Sequence, residues 1–409
     1  MKPITAIRVT GALVFVPLVF ALGVFISLSD VSSSSGYGVN DLAAASFQVA
    51  YTGPLTAAFV AFIFPRQTQI LIEARPARAG LSLFLAVWGW LLIGAPSAGV
   101  LAMVSATRVV PATPAELSVV TVTLLAGLAC GALGVLVSRA FRTVLAVPLA
   151  ALGTFAFLAL PGSGLNVLLR NIDSDFGSCC APDAQPANAM LVGSALVAGI
   201  IVVATMITFL PPTWARQRHF VALAFLGVSL VVAGGVGAAV AEAVGRPLEL
   251  NPVQPRSDSV RCLSEGGIQA WVWPENQSRQ RQVLTALQEL NSGLRQAGVP
   301  TLATASEDSY DGHAVPVSAS AASDAATIAY SMAVGYVEHT PVCPRVDETR
   351  YSDVGVAFTG LVAGLGEQEL RMRSISNSAI QTAKRQQGLG GAAMRTWFSE
   401  VVCRSGTGR

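Results

Sequence analysis

The stretch LSVVTVTLLAGLACGALGVLVS, residues 117–138, contains no Asp, Glu, Lys, Arg or His. It exceeds the roughly 20 apolar residues with which an α-helix crosses a hydrocarbon core about 30 Å thick. Apolar side chains on every face suit lipid or a deep core, not a water-facing surface. Working outward, six more apolar runs lie at approximately 9–28, 43–64, 80–105, 143–160, 189–210 and 220–244. The expected fold is therefore an α-helical polytopic membrane bundle of about seven transmembrane helices, occupying residues 1–245.

The loops between these runs orient the chain. Lys2 and Arg8 precede the first run; Arg66, Arg75 and Arg78 follow the second; Arg139 and Arg142 follow the fourth; Arg216 and Arg218 follow the sixth. The alternate loops hold only Arg108 and Arg170, against Asp30, Asp41, Glu116, Asp173, Asp175 and Asp183. Short loops rich in arginine stay on the cytoplasmic side. A cytoplasmic N-terminus in the cell membrane and an extracytoplasmic segment 246–409 are therefore expected. The basic start and long apolar first run read as a retained signal anchor, because a cleaved signal has a shorter core.

Charge narrows the classes further. Residues 1–245 hold 11 basic and 8 acidic groups, and residues 246–409 hold 15 and 16. The second part is near neutral, so no basic field is available to attract nucleic acid. Only two of the 26 basic residues are lysine (Lys2 and Lys384), a bias expected of a GC-rich bacterial genome.

Inside the apolar runs, Glu242 stands alone among Asp, Glu, Lys, Arg and His, and it lies near an end. Ion-coupled transport and intramembrane proteolysis depend on polar groups at membrane depth, so both are disfavoured. Gly127, Gly131 and Gly134 lie at helical spacing and are expected to pack against neighbouring helices, as are Gly234, Gly235 and Gly237. Pro17, Pro54, Pro96 and Pro148 are expected to kink their helices.

The loop after the second run reads FPRQTQILIEARPARAG, residues 64–80. Ile70, Leu71 and Ile72, beside Glu73, Arg75 and Arg78, are expected to form a short amphipathic helix at the membrane face, ending near Pro76. Here the chain resembles the permease subunits of type-2 ABC exporters, in particular an actinobacterial group with a C-terminal extracytoplasmic domain. In such permeases a cytoplasmic segment of similar form meets the ATPase. The resemblance implies a homodimer or heterodimer in the lipid bilayer and a cytoplasmic ABC ATPase subunit as partner. It departs from the usual six spans by one. The chain contains no GxxxxGK[ST] phosphate loop, so ATP hydrolysis would belong to a separate chain. No cofactor or metal is expected.

Residues 246–409, after the proline-spaced stretch Pro247 to Pro255, are long enough for one compact domain, read as small α/β or α+β. Ile268 to Trp273 reads as a strand, with Trp271 and Trp273 expected on opposite faces. Pro274-Glu275-Asn276 opens a helix whose apolar side carries Val283, Leu284, Leu287, Leu290 and Leu294. Ala325 to Val337 reads as a strand or pair of strands, Val354 to Leu365 as strand or helix, and Val317 to Ala326 as a loop. Ser376 to Val402 reads as helical, with interruptions at Gly388, Gly390 and Gly391.

Cys130 lies within an apolar run and reads as a packing residue. Cys179, Cys180, Cys262, Cys343 and Cys403 fall on the outer side, where disulfides persist. Cys262 paired with Cys343 or Cys403 is one expectation, and the odd count leaves at least one unpaired within the chain. His313 and His339 form no HExxH site, and no GxSxG elbow is present. No catalytic residue is assigned. The leading expectation is an exporter permease whose outer domain contacts cargo or an envelope partner. The alternatives are an envelope scaffold or sensor anchored by its helices, and a membrane enzyme with a site in the outer domain.

Overall fold

The computed structural model describes residues 11–30, 36–74, 81–159, 184–207, 218–244, 253–256, 258–308, 314–319, 323–339, 352–387, 389 and 391–404. For 30, 66–74, 81–88, 90, 218–220, 241, 244, 391, 403 and 404 only the backbone course is described. Two compact units divide the chain: Met1–Ser33 with Tyr37–Gln254, and Ser34–Gly36 with Pro255–Arg409.

The first unit is helical: α1 (Ala12–Asp30), α2 (Gly38–Ser46), α3 (Val49–Ala74), α4 (Leu81–Thr107), α5 (Pro114–Ala140), α6 (Thr143–Ala159), α7 (Asn188–Ile207) and α8 (Arg218–Val244). Two short strands, β1 (Ala184–Pro186) and β2 (Val253–Pro255), pair with each other. Helix α1 packs along α4, α3 lies against α5 and α6, and α7 lies against α5 and α8. Among the described residues, four helices are long and apolar enough to cross a membrane: Ala12–Ser29, Pro114–Ala140, Asn188–Ile207 and Val221–Val240. The α2–α3 pair adds a fifth if counted as one bent span. The 17-residue α6 and the Leu91–Thr107 part of α4 are shorter apolar helices.

The quoted stretch 117–138 lies wholly within α5. Thr113 and Glu116 close a reciprocal cap at its start, with Pro114 in the first turn, so the helix begins three residues earlier than its apolar run. The run 43–64 is instead broken. Helix α2 meets α3 at an angle of 41°. The physical cause lies in the last turn of α2. Phe47 and Gln48 donate to the carbonyls three residues back, at 3.3 and 3.4 Å, and Ser27 of α1 donates to the Ala45 carbonyl. A tightened turn and a foreign hydroxyl both loosen the ladder. The expected proline kinks are not where this bend falls: Pro17, Pro54, Pro65, Pro96 and Pro148 all lie inside continuous helices.

The second unit holds a four-stranded mixed sheet in the order β3 (Arg261–Glu265), β4 (Ile268–Val272), β5 (Thr304–Ser306) and β6 (Val315–Pro316). Strands β3 and β4 are antiparallel, joined through Gly266 and Gly267 with φ of 60° and 81°. Two successive positive φ angles suit a two-residue hairpin, and glycine adopts them without a Cβ clash. Strands β4, β5 and β6 run parallel, with Ala270 opposite Ala305 and Ala305 opposite Val315.

Between β4 and β5 the chain makes a 3-10 turn (Pro274–Arg279) and α9 (Gln280–Ala297). Val283, Leu284, Leu287, Leu290 and Leu294 are all buried, which is the face read from the sequence. Gly298 at φ 73° ends the helix, and the Asn291 carboxamide bonds both the N–H and the C=O of Leu302, fixing the return to β5.

Helices α10 (Ala325–His339), α11 (Asp353–Val362), α12 (Glu367–Met372), α13 (Asn377–Gln386) and α14 (Gly391–Arg404) complete the unit. The strand reading of Ala325 to Val337 is thereby corrected to a helix. Asp324 accepts the Thr327 N–H at 2.7 Å as an N-cap, and Ile328, Met332 and Tyr336 recur on one buried face. Of the stretch Val354 to Leu365, the part to Val362 resolves as helix, with the Ser352 hydroxyl accepting from the Gly355 N–H as its cap. One core unites α9, α10, α11, α13 and α14 around Leu287, Met332, Phe358 and Phe398.

Candidate functional site

Of the loop read as a partner-binding segment, Ile70, Leu71, Ile72 and Glu73 lie on the backbone of α3, which runs unbroken from Val49 to Ala74. The separate short helix expected at the membrane face is therefore a continuation of the preceding helix. The helix ends two residues before Pro76, as the steric effect of proline on the preceding residue requires. Arg75 and Arg78 lie outside the described residues.

The three glycines of α5 sit at close helix contacts. A Cβ on Gly127 would lie 2.8 Å from Pro96 Cβ, and one on Gly131 would lie 2.7 Å from Leu92 Cδ2, both on α4. One on Gly134 would lie 2.4 Å from the Ala57 carbonyl oxygen of α3. Cys130 is buried between these contacts and is a free thiol.

At the α2–α3 break the bundle holds polar side chains that the sequence reading passed over. Gln48, Thr52, Thr56 and Thr123 are all buried and line one cleft with Val19, Ala95, Pro96, Gly99 and Gly127. The Thr52 hydroxyl donates to Gln48 Oε1 at 2.8 Å; the Thr56 and Thr123 hydroxyls donate to the carbonyls of Thr52 and Val119. A search confined to charged residues cannot find this cluster, since all its members are neutral. Glu242 is exposed, and Asp41, assigned to a loop, is buried in the first turn of α2.

In the second unit a buried carboxylate ties four segments together. Glu307 accepts from the Trp273 N–H at 2.8 Å, from Asn276 Nδ2 at 2.9 Å and from the Ala319 N–H at 2.9 Å. Burial pushes its carboxyl above the usual range, outweighing those donors. Beside it the Arg256 guanidinium bonds Glu275 and Asp258, each at 2.7 Å, and stacks 4.1 Å from the Trp273 ring centroid. Trp273 Nε1 and Asn276 Oδ1 are buried with no hydrogen-bond partner among the described residues. Among the described residues, no group of three His, Cys, Asp or Glu that could hold a metal occurs. These bonds fix the end of β4, the 3-10 turn and the approach to α10. Asn276, within a glycosylation-like Asn-Gln-Ser, is occupied by Glu307.

The remaining sequence candidates disperse. Cys262 is an exposed, free thiol opposite Trp271, so the expected pairing is not formed among the described residues. Cys179, Cys180, Cys343 and His313 lie outside the described residues, as does the Cys403 side chain. His339 ends α10, with Nδ1 at 3.3 Å from the Gly335 carbonyl. Trp273 is buried and Trp271 half-exposed. Residues two apart on one strand share a face; these two separate because β4 ends at Val272 and the chain turns.

Helices able to cross a bilayer, joined to a separately packed domain built on a mixed sheet, define the class: a multi-span membrane protein with a folded C-terminal unit. One family matches, a domain of unknown function (DUF7224), over residues 271–403. The match runs from the Trp271 end of β4 to Cys403 in α14, and so includes Trp273, Asn276 and Glu307. No curated protein and no solved structure matches the chain.

Proposed function

We propose that this chain is the membrane-spanning permease subunit of an ABC-type export system, driven by a separate cytoplasmic ATPase. In this reading it crosses the cell membrane seven times and presents 255–409 outside, where that domain contacts cargo or an envelope partner. The observation that carries it is the length of α3. Its 26 residues, at about 1.5 Å each, span roughly 39 Å against a core of about 30 Å. In this reading the segment from Arg66 to Ala74 continues the helix beyond the apolar part, and a partner bearing on Ile70–Glu73 acts on the bundle through it. The charge asymmetry of the loops supports a cytoplasmic location for that extension.

The test is co-purification from native membranes followed by mass spectrometry. The expected result is a phosphate-loop ATPase in stoichiometric amount, lost when Ile70, Leu71 and Ile72 are replaced by Asp while the chain still inserts. Absence of any nucleotide-binding partner from the wild-type preparation overturns the reading.

A second reading, an envelope scaffold or sensor anchored by its helices, is favoured by the self-contained core of the C-terminal unit. It requires that 255–409 fold alone and bind an envelope component with no ATPase present.

A further inference from the structure

We infer that the outer edge of β3 pairs with β3 of a second copy of this chain, antiparallel about a two-fold axis at Leu263, so that the two sheets become one. Strand β3 ends its sheet, and among the described residues no strand lies beyond it. The hairpin decides which of its backbone groups face outward. A two-residue turn leaves Glu265 and Ile268 as a hydrogen-bonded pair, and bonded pairs recur at every second position, Leu263 with Ala270 and Arg261 with Val272. The next ladder agrees: the Gln269 N–H and the Trp271 carbonyl bond to Ala303 and Glu307, away from β3. Cys262 and Ser264 therefore aim their N–H and C=O groups outward, where they bond to nothing among the described residues.

Sheet edges are ordinarily guarded by short strands, proline, lysine or bulges. The far edge obeys, since β6 is two residues long and one of them is Pro316. Strand β3 carries none of these devices, and its five residues pair with β4 in unbroken register. Its sequence is instead complementary to itself. In the pairing centred on Leu263, the Cys262 backbone of each copy bonds the Ser264 backbone of the other, which uses the outward groups. Leu263 then meets Leu263, with Cα atoms about 4.5 Å apart. Arg261 faces Glu265 twice, and opposite charges across a strand pair are favourable. Sliding the copies by two residues keeps the bonds but sets Leu263 against Arg261 or Glu265 and loses both ion pairs. Charge complementarity thus selects the same strand as occupant. Arg261 and Glu265 are both exposed, and Arg261 donates to Gln277 Oε1 at 3.3 Å. A five-residue pairing is small, but copies held in one bilayer by their helices meet at a raised effective concentration. The inference stands whether or not an ATPase is a partner.

The experiment uses the full chain in native membranes, carrying Cys262→Ser and Leu263→Cys, oxidised with copper phenanthroline and mapped by mass spectrometry of non-reduced peptides. Expected is a disulfide joining position 263 of two copies. Arg261→Cys in place of Leu263→Cys should give about tenfold less, because those thiols lie roughly 13 Å apart along the strands, beyond disulfide reach. Adding Arg261→Glu to the Leu263→Cys chain sets carboxylates against carboxylates and should lower the yield about three- to tenfold; adding Glu265→Arg as well should restore it. The wild-type chain supplies a readout free of substitutions. Its Cys262 and Ser264 amides should exchange hydrogen slowly in densely reconstituted vesicles and fast in dilute detergent. Fast exchange in both, equal yields at positions 261 and 263, or a yield indifferent to the charge exchange overturns the inference. So does capture of a different protein at position 263, which would put another strand on this edge.

Discussion

Gly134 of α5 and Ala57 of α3 meet backbone to backbone: a Cβ on Gly134 would lie 2.4 Å from the Ala57 carbonyl oxygen and 3.0 Å from its carbonyl carbon. Neither atom belongs to a side chain that can swing away. Small residues at such crossings let helices approach where lipid gives no hydrophobic drive for association. Gly134→Ala must therefore separate the two helices, at a cost of about 1–3 kcal/mol. The melting temperature in detergent should fall by several degrees. Gly153→Ala, where no atom lies within 4 Å, should be neutral or slightly stabilising.

Glu307 anchors the C-terminal unit. Glu307→Ala leaves the Trp273 N–H, Asn276 Nδ2 and the Ala319 N–H without their acceptor. Each buried orphan costs about 1–3 kcal/mol, less where water enters. Thermal unfolding followed by circular dichroism should show a loss of several kcal/mol, or no cooperative transition at all. An unchanged transition would mean that these bonds do not hold the segments together.

The same residue gives the unit a pH signature. Its folded-state pKa is raised from 4.5 by burial. Its contribution to stability is therefore fully present below about pH 4.5 and is lost as pH rises through the raised value. Glu307→Gln lacks this slope, so the stability of the wild type relative to the variant should be greatest in acid and shrink toward neutrality. Asp324 and Glu367 act in the opposite sense. Hydrogen bonds from Thr327 and from Lys384, respectively, lower their pKa values, and their contributions fade as pH falls below the ordinary carboxylate range.

Cys262 reports topology. It is exposed and free, whereas Cys130 is buried at 2% exposure within α5. A membrane-impermeant maleimide applied to intact cells, read at the level of the Cys262 peptide, should label it without added reductant if 255–409 lies outside. Labelling only after lysis would place that unit in the cytoplasm.

Much of the bundle was legible in the sequence. An uninterrupted apolar run leaves a helix no polar face for water, and α5, α7 and α8 begin and end within a few residues of their runs. The 41° bend was not legible, because residues on both sides of Phe47 are equally apolar. Its cause, the Ser27 hydroxyl on the Ala45 carbonyl, comes from another helix. In the C-terminal unit, the face of α9 was readable from its period. Helix α10 was misread because its mixture of β-branched and aromatic residues suits a strand, whereas the Asp324 cap and the buried row through Ile328 and Tyr336 settle it as a helix.

The sequence by itself determined that this is a membrane protein with a distinct C-terminal unit, since hydropathy and composition act locally along the chain. Only tertiary structure decided which polar groups meet. Asn276 and Glu307 are 31 residues apart and bond directly, and Gln48 becomes a buried amide only when α1 and α4 close over it with Gly23 and Gly99. A neutral or singly charged side chain has no signature of its own along a chain. Burial gives it chemical weight, and burial belongs to the fold.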